Sequence, residues 1–274
     1  MTARRGRVVV TGASSGIGRA LALEYAGPGA RLVLVGRDEA RLAQAAAAAR
    51  EKGAEVVAAR LDVRDRAAME SFLRAEDARD EIGLVVANAG VTTGLEPGEL
   101  YEDPEAARAL LAVNLYGVLN TVEPLLGAMC ARGRGQIAMV GSMAGLRGLP
   151  YAPAYCVSKA GVHAYAESLR GRLERAGVTV SLIVAGFVKT PLNDSIETMK
   201  PLEMSDAQAA RIIRRGLDRG RATIAFPLAL YAATRLSRVL PARLVDRIFA
   251  RISVKAPHIA EREAGDVAPP REQA

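Results

Sequence analysis

Between residues 8 and 26 the chain reads VVVTGASSGIGRALALEYA. An apolar run passes into a run with helical spacing, where Ile17, Leu21 and Tyr25 recur every fourth residue. The junction holds Gly12, Gly16 and Gly18. One glycine is enough for a tight turn, so three ask for close approach to the backbone. A helix that begins here turns its free N–H groups and the positive end of its dipole outward, which suits a phosphate group. Gly12 then permits the turn, Gly16 clears side chains from the approaching phosphate, and Gly18 lets the helix lie against the strand. Ser14 and Ser15 add hydroxyl donors.

The unit repeats along the chain. Strand-like apolar runs are expected at 7–11, 31–35, 55–61, 83–87, 136–140 and 178–184. Helical spacing is expected at 17–26, 38–52, 67–78, 104–129 with a break near Pro124, and 153–176. Asp38 is placed to cap the second of these helices. This alternation predicts an α/β fold, a Rossmann-type doubly wound parallel sheet with helices on both faces, in a single domain with a helical C-terminal extension. Ligands of such sheets bind beyond the carboxyl ends of the strands. Those ends hold Gly12, Gly36 with Arg37, Asp62, Asn88-Ala89-Gly90, Ser142 and Gly186.

Composition narrows the class. Half of the 274 residues are hydrophobic, enough for a substantial core. Lys plus Arg exceed Asp plus Glu by 37 to 30, almost wholly through arginine. Basic stretches lack interleaved aromatics, so solvated faces are favoured over nucleic-acid binding. Cys130 and Cys156 show no paired pattern, which fits a reducing, cytoplasmic setting. The first residues lack the apolar run of a signal peptide, and no uninterrupted apolar stretch reaches bilayer length. His163 has no second ligand at metal spacing and reads as a partly exposed helix residue. His258 falls in the tail.

Six further motifs accompany the glycine turn in order. Asp62-Val63 follows the third strand, Asn88-Ala89-Gly90 the fourth, and Asn114 lies in the next helix. Ser142 follows the fifth strand, with Tyr155 and Lys159 beyond it in Tyr-Cys-Val-Ser-Lys. Ala185-Gly186-Phe187-Val188-Lys189-Thr190 follows the sixth. With the spacing Thr-Gly-x-x-x-Gly-x-Gly, the chain resembles the classical short-chain dehydrogenase/reductases over residues 5–190.

Tyr155 and Lys159 are four apart and share a helix face. A free tyrosine titrates near ~10 and is a poor base at neutral pH. A neighbouring ammonium is expected to pull it down. Tyr155 can then exchange a proton with a carbonyl or alcohol oxygen, while Ser142 donates a hydrogen bond to the same oxygen. The resemblance implies that Lys159 reaches the nicotinamide ribose and that Asn114 helps fix a water near it. It also implies a dinucleotide held by Gly12, Ser14, Ser15, Gly16, Ile17, Gly18, Asp62, Val63, Asn88, Ala89, Gly90, Tyr155, Lys159, Val188 and Thr190. Homodimers or homotetramers are implied in the same way. No metal site is expected.

Cofactor choice turns on the end of the second strand. An acid there would grip the ribose hydroxyls and repel a 2′-phosphate. Here Gly36 and Arg37 stand instead, and arginine suits phosphate, so NADP(H) is favoured. Asp38 keeps NAD(H) open. The implied reaction is hydride transfer between nicotinamide and a carbonyl or secondary alcohol of a hydrophobic substrate, with Phe187, Met143, Leu146 and a lid at 191–215 shaping the pocket. The runner-up is a non-catalytic nucleotide sensor. The sixth motif departs from the family in carrying Ala185 where proline is usual.

The expected organisation is a catalytic domain at 1–226, a helical extension at 227–254 and a disordered tail at 255–274. Between 226 and 251, five arginines stand among Leu, Val, Ile and Phe with only Asp246 opposing. Two readings stay open there: a cover or subunit contact, and a basic amphipathic pair resting peripherally on an anionic membrane.

Overall fold

The computed structural model describes residues 6–92, 94–95, 98–194 and 199–249. Six strands and their helices alternate first: β1 (Arg7–Thr11), α1 (Gly16–Tyr25), β2 (Arg31–Gly36), α2 (Glu39–Glu51), β3 (Glu55–Arg60), α3 (Arg66–Arg79), β4 (Ile82–Ala87), α4 (Pro104–Leu111), α5 (Gly117–Ala131), β5 (Gly135–Ser142), α6 (Pro153–Leu173) and β6 (Val178–Ala185). Then come β7 (Val188–Lys189), α7 (Pro191–Asp194), β8 (Met204–Ser205), α8 (Asp206–Asp218), β9 (Thr223–Phe226), α9 (Leu228–Ser237) and α10 (Ala242–Phe249). The main sheet runs β3-β2-β1-β4-β5-β6-β9, parallel throughout. Its order reverses between β1 and β4, so a crevice opens beyond their carboxyl ends. The expected doubly wound sheet is therefore the observed one.

Alternation along each strand divides the core into two layers. Val8 and Val10 pack under α1, α2 and α8 with Leu21, Leu42 and Ile213. Val9 packs on the other face with Leu73, Val122, Leu125 and Val162. Strands covered on both faces carry apolar side chains in both directions, which explains their unbroken Val and Leu runs. Asp38 caps α2 by accepting from the Arg41 N–H at 2.9 Å, and Asp65 caps α3 in the same way.

The break expected near Pro124 lies elsewhere. Pro124 sits inside α5, while the helical stretch widens into a π-turn at Ala112–Tyr116. There the Gly117 N–H reaches back to the Ala112 carbonyl. Pro124 is the eighth of the fifteen residues of α5, which runs through it unbroken, whereas the π-turn carries Asn114, fully buried. Pro104–Ala131 is long enough, and contains an 18-residue window apolar enough, to cross a bilayer by composition, with mean hydropathy 1.4 over that window. It is a core helix here, with Val118, Val122, Leu125 and Met129 buried against the sheet side.

Downstream, β7 and β8 pair as a small parallel ribbon. The expected lid narrows accordingly. From Asp206 onward it is α8, whose Ala209, Ala210, Ile213 and Leu217 are buried in the core. Pro241 separates α9 from α10, as its helix-breaking geometry requires. Residues 250–254 of the expected extension and the expected tail at 255–274 lie outside the described residues.

The β1–α1 junction is packed without room for side chains. Gly12 has φ +66°, a left-handed conformation that favours glycine. A Cβ on Gly18 would lie 2.2 Å from the Gly12 carbonyl oxygen and 2.5 Å from the Asn88 carboxamide nitrogen. Gly18→Ala must therefore push α1 off the sheet. It should cost about 3 kcal/mol or more, read as a lower midpoint in denaturant unfolding. An unchanged midpoint would show that α1 does not need this contact.

Candidate active site

One cavity of about 380 Å³ runs along the carboxyl edge of the sheet from β2 to α9. Every predicted site residue lines it except Gly18 and Asn114, which lie just beneath its wall. The first turn of α1 forms one end. Gly16 has φ +50°, and a Cβ there would meet the Thr190 side chain at 2.9 Å, so the turn and the strand-six motif face each other closely. The Thr11 hydroxyl accepts the N–H groups of Asn88 and Ala89 at 3.1 and 3.2 Å. Asn88 in turn donates to the Thr11 carbonyl at 2.9 Å, stitching β1 to β4 at the switch point.

At the β2 end, Gly36 is not demanded by packing. A Cβ there would meet only Leu42 and Ser14, at an ordinary 3.5 Å. Asp38 is already committed: one carboxylate oxygen accepts from the Arg41 N–H and the other pairs with the Arg41 guanidinium at 2.5 Å. Asp62 is similarly occupied by Arg64 at 2.6 Å. Burial raises the Asp62 carboxyl, but the Arg64 hydrogen bonds outweigh it and Arg37 adds attraction, so Asp62 stays below the ordinary carboxylate range. A glycine-walled cradle, the Ser14 and Ser15 hydroxyls and Arg37 at the end of β2 line the cavity and form a donor set that fits a phosphate-bearing dinucleotide.

At the other end stand Ser142, Tyr155 and Lys159. Ser142 ends β5, and its oxygen accepts the Ala144 N–H at 3.2 Å, which leaves its proton to be donated. Tyr155 and Lys159 project from α6, with the ammonium 5.7 Å from the ring centroid. Lys159 is 5% exposed and donates to the Val140 carbonyl at 3.0 Å. Burial lowers its ammonium to about 8. The expected lowering of Tyr155 is reversed in this structure. Burial raises the phenol, Cys156 adds to the rise, and the hydrogen bond with Ser142 offsets only part of it. The phenol is therefore an acid at neutral pH, suited to giving a proton to an oxygen that gains charge.

Asn114 has a task the sequence did not suggest. Its carboxamide donates to the Val91 carbonyl and accepts the Val91 N–H, both at 2.8 Å. It also donates to the Ser158 hydroxyl at 3.3 Å. The π-turn thus clips the loop after β4 to α6. A Cβ on Gly90 would lie 3.2 Å from the Asn114 oxygen and 3.6 Å from the Lys159 nitrogen, so both groups border that glycine.

Several residues escaped the sequence reading. His163 is buried at 6% exposure, not partly exposed. Its Nε2 accepts the Ser142 N–H at 3.4 Å and packs where a Cβ on Gly141 or Gly145 would stand. One turn beyond Lys159 on α6, it had no motif to announce it. Leu149, Tyr151, Leu192 and Leu230 join Met143 and Phe187 as cavity wall. Leu146 does not line the cavity and packs on the core instead. Cys156 accepts the Leu149 N–H at 3.1 Å, the packing role expected of it. Among the described residues no cluster of metal-ligating side chains occurs.

A sequence profile described as short chain dehydrogenase matches residues 6–201. An uncharacterized oxidoreductase of Myxococcus xanthus (strain DK1622) is 38% identical over 245 residues, 89% of this chain and 96% of the relative. Among solved structures, a short-chain dehydrogenase from Sphingobium yanoikuyae in complex with NADPH is similar with TM-score 0.74 and 28% identity over 98% of both chains. A short chain dehydrogenase/reductase from Burkholderia phymatum in complex with NAD gives TM-score 0.75 and 28% identity over 86% of this chain and 94% of the other.

The buried imidazole behind Ser142 generates a pH prediction. Burial first, then repulsion from Lys159 and Arg238, lowers His163 from 6.5 to about 4. Between those values the unfolded chain binds the proton and the folded chain does not. Stability should fall as pH drops from 6.5, and the loss should level off below about 4. The melting-temperature gap between the protein and its His163→Gln variant should shrink over that range. A gap that stays constant would place His163 outside the titrating set.

Proposed function

The chain belongs to the short-chain dehydrogenase/reductase family, and on that footing we propose that it is an NADP(H)-dependent reductase of hydrophobic ketones or aldehydes. It is an oxidoreductase by family. The observation that carries the chemistry is the pair of Ser142 and Tyr155 hydroxyls in the cavity wall: burial keeps the phenol protonated, so it can give a proton to a carbonyl oxygen that gains charge. The cofactor reading is supported by Arg37, which lines the cavity directly after Gly36, while Asp38 caps α2 and pairs with Arg41.

When bound, the dihydronicotinamide supplies hydride to the carbonyl carbon. Ser142 donates a hydrogen bond to the carbonyl oxygen and fixes its position. Tyr155 transfers its phenolic proton to that oxygen as charge builds there, and the product is the alcohol. Lys159, buried behind the phenol, stabilises the phenolate left behind. Asn114 acts as a positioning residue, holding the Val91 loop and α6 in register. His163 does the same for the Ser142 backbone. Gly12, Ser14, Ser15, Gly16 and Ile17 hold the pyrophosphate, Asp62, Val63, Asn88, Ala89 and Gly90 the adenosine side, and Val188 and Thr190 the carboxamide. Apolar walls from Met143, Leu149, Phe187, Leu192 and Leu230 select an apolar substrate. The lid narrows to the stretch from Pro191 to Ser205. The catalytic domain reaches Phe226, and α9 closes its cavity.

Tyr155→Phe should retain NADPH binding, read by nicotinamide fluorescence, and lose about 10²–10⁴-fold in turnover of a ketone panel. Retained turnover would remove Tyr155 as the acid. Wild-type binding of NADPH without turnover of any carbonyl would favour the sensor reading.

Arg37→Ala should weaken NADPH by roughly tenfold or more and leave NADH nearly unchanged, since a charge-assisted phosphate contact is worth about 1.5–3 kcal/mol. Equal loss for both nucleotides, or a parent protein that prefers NADH, would overturn the NADP(H) assignment.

A further inference from the structure

Helix α9 departs from the rule for a helix packed on the outside of a globular fold. Such a helix turns an apolar stripe inward and a polar face to water. The inward side of α9 is apolar, with Leu230 on the cavity and Tyr231 against the core. Its outward side is apolar as well. Leu228 and Leu236 are 72% and 62% exposed, and only alanines are exposed between them until Arg235. Beyond α9, Val239 is 78% exposed, and Leu240 and Leu244 are exposed as well. Helix α10 is held in place by buried Val245 and by an ion pair from Asp246 to Arg147, in the loop that follows Ser142.

The charges around this surface say what it fits. Arg235, Arg238, Arg243 and Arg247 are all exposed. The only acid between 227 and 247 is Asp246, which Arg147 engages. A second copy related by a two-fold axis would set the patch against itself, with arginine facing arginine. An anionic lipid surface removes that conflict: headgroups neutralise the arginines while Leu and Val side chains enter the acyl boundary. We infer that α9 and α10 dock this protein on the surface of an anionic bilayer. The cavity wall at Leu230 then lies one helix diameter, about 10 Å, from the lipid. Direct supply of apolar substrate from the bilayer rests on the catalytic reading above. Docking itself does not.

The test uses the full chain and vesicles of phosphatidylcholine, alone or with about one-third phosphatidylglycerol, a composition that gives an anionic surface. Co-sedimentation should show binding to the anionic vesicles at low salt, little binding to the neutral ones, and release at high salt. Arg243→Gln with Arg247→Gln should weaken binding about tenfold or more. Leu236→Asp with Val239→Asp should do the same while leaving melting temperature and turnover of a water-soluble ketone unchanged. No binding to anionic vesicles, or binding that neither pair alters, overturns the proposal. So does an oligomer that the Leu236→Asp, Val239→Asp pair dissociates in the absence of lipid binding, because the patch is then a subunit contact. Vesicle binding needs neither nucleotide nor turnover, so its failure and a failure of the catalytic reading are separate results.

Discussion

Close contact between the first turn of α1 and the switch point of the sheet supports everything else in the molecule. With no side chain at Gly18, the helix rests on the Gly12 carbonyl and the Asn88 carboxamide. That contact fixes the direction in which the free N–H groups of α1 point. It also joins the ends of β1 and β4, through Thr11 and Asn88, where the crevice opens. The sheet order then carries the consequence outward. β5 lies next to β4 and brings Ser142 to the same edge, and β6 brings Val188 and Thr190 to face Gly16. A phosphate-binding turn and a proton-donating hydroxyl pair thus share one cavity because both are carboxyl-end features of neighbouring parallel strands.

Burial governs the electrostatics at the chemical end of that cavity. It pushes the Tyr155 phenol up and the Lys159 ammonium down to about 8, so each is driven toward its neutral form. Charge arriving in the site changes that balance. A positively charged ring favours the phenolate, while a neutral one leaves the phenol protonated. Under the proposed function the same residues would serve as acid in reduction and as base in oxidation, with the charge on the bound ring deciding which. The Lys159 bond to the Val140 carbonyl keeps the ammonium near the strand end and beside Gly90. Asn114 gives its carboxamide to Val91 and Ser158, so its contribution is the registration of two elements around the lysine.

Legibility in the sequence followed how local the cause was. The strands were readable because unbroken Val and Leu runs are needed in a sheet covered on both faces. The glycine turn, Ser142, Tyr155 and Lys159 were readable because their spacing expresses geometry within one or two elements. Position within a helix was harder. Pro124 looked like a break, yet α5 runs through it at mid-length, and the real irregularity at Ala112–Tyr116 has no proline or glycine inside it. His163 looked half-exposed because helical periodicity cannot report that Gly141 and Gly145 leave a niche for its ring. Leu230 could not be found at all, since it reaches the cavity from a helix more than forty residues beyond Gly186 by way of β9.

The C-terminal helices show where periodicity stops being informative. In α9 the residues Leu228, Ala229, Leu230, Tyr231, Ala232 and Ala233 give no polar stripe, so the hydrophobic pattern alone has no preferred face. The fold breaks that symmetry by seating Leu230 and Tyr231 against the cavity and core. The remaining face keeps its apolar side chains in water, which is unfavourable for an isolated domain of this kind. Arginines spaced along 235–247 keep such a surface soluble and at the same time give it a sign. Because the same helix is wall of the cavity on one side and exposed apolar surface on the other, whatever covers the outer face also sits directly behind the substrate's end of the cavity.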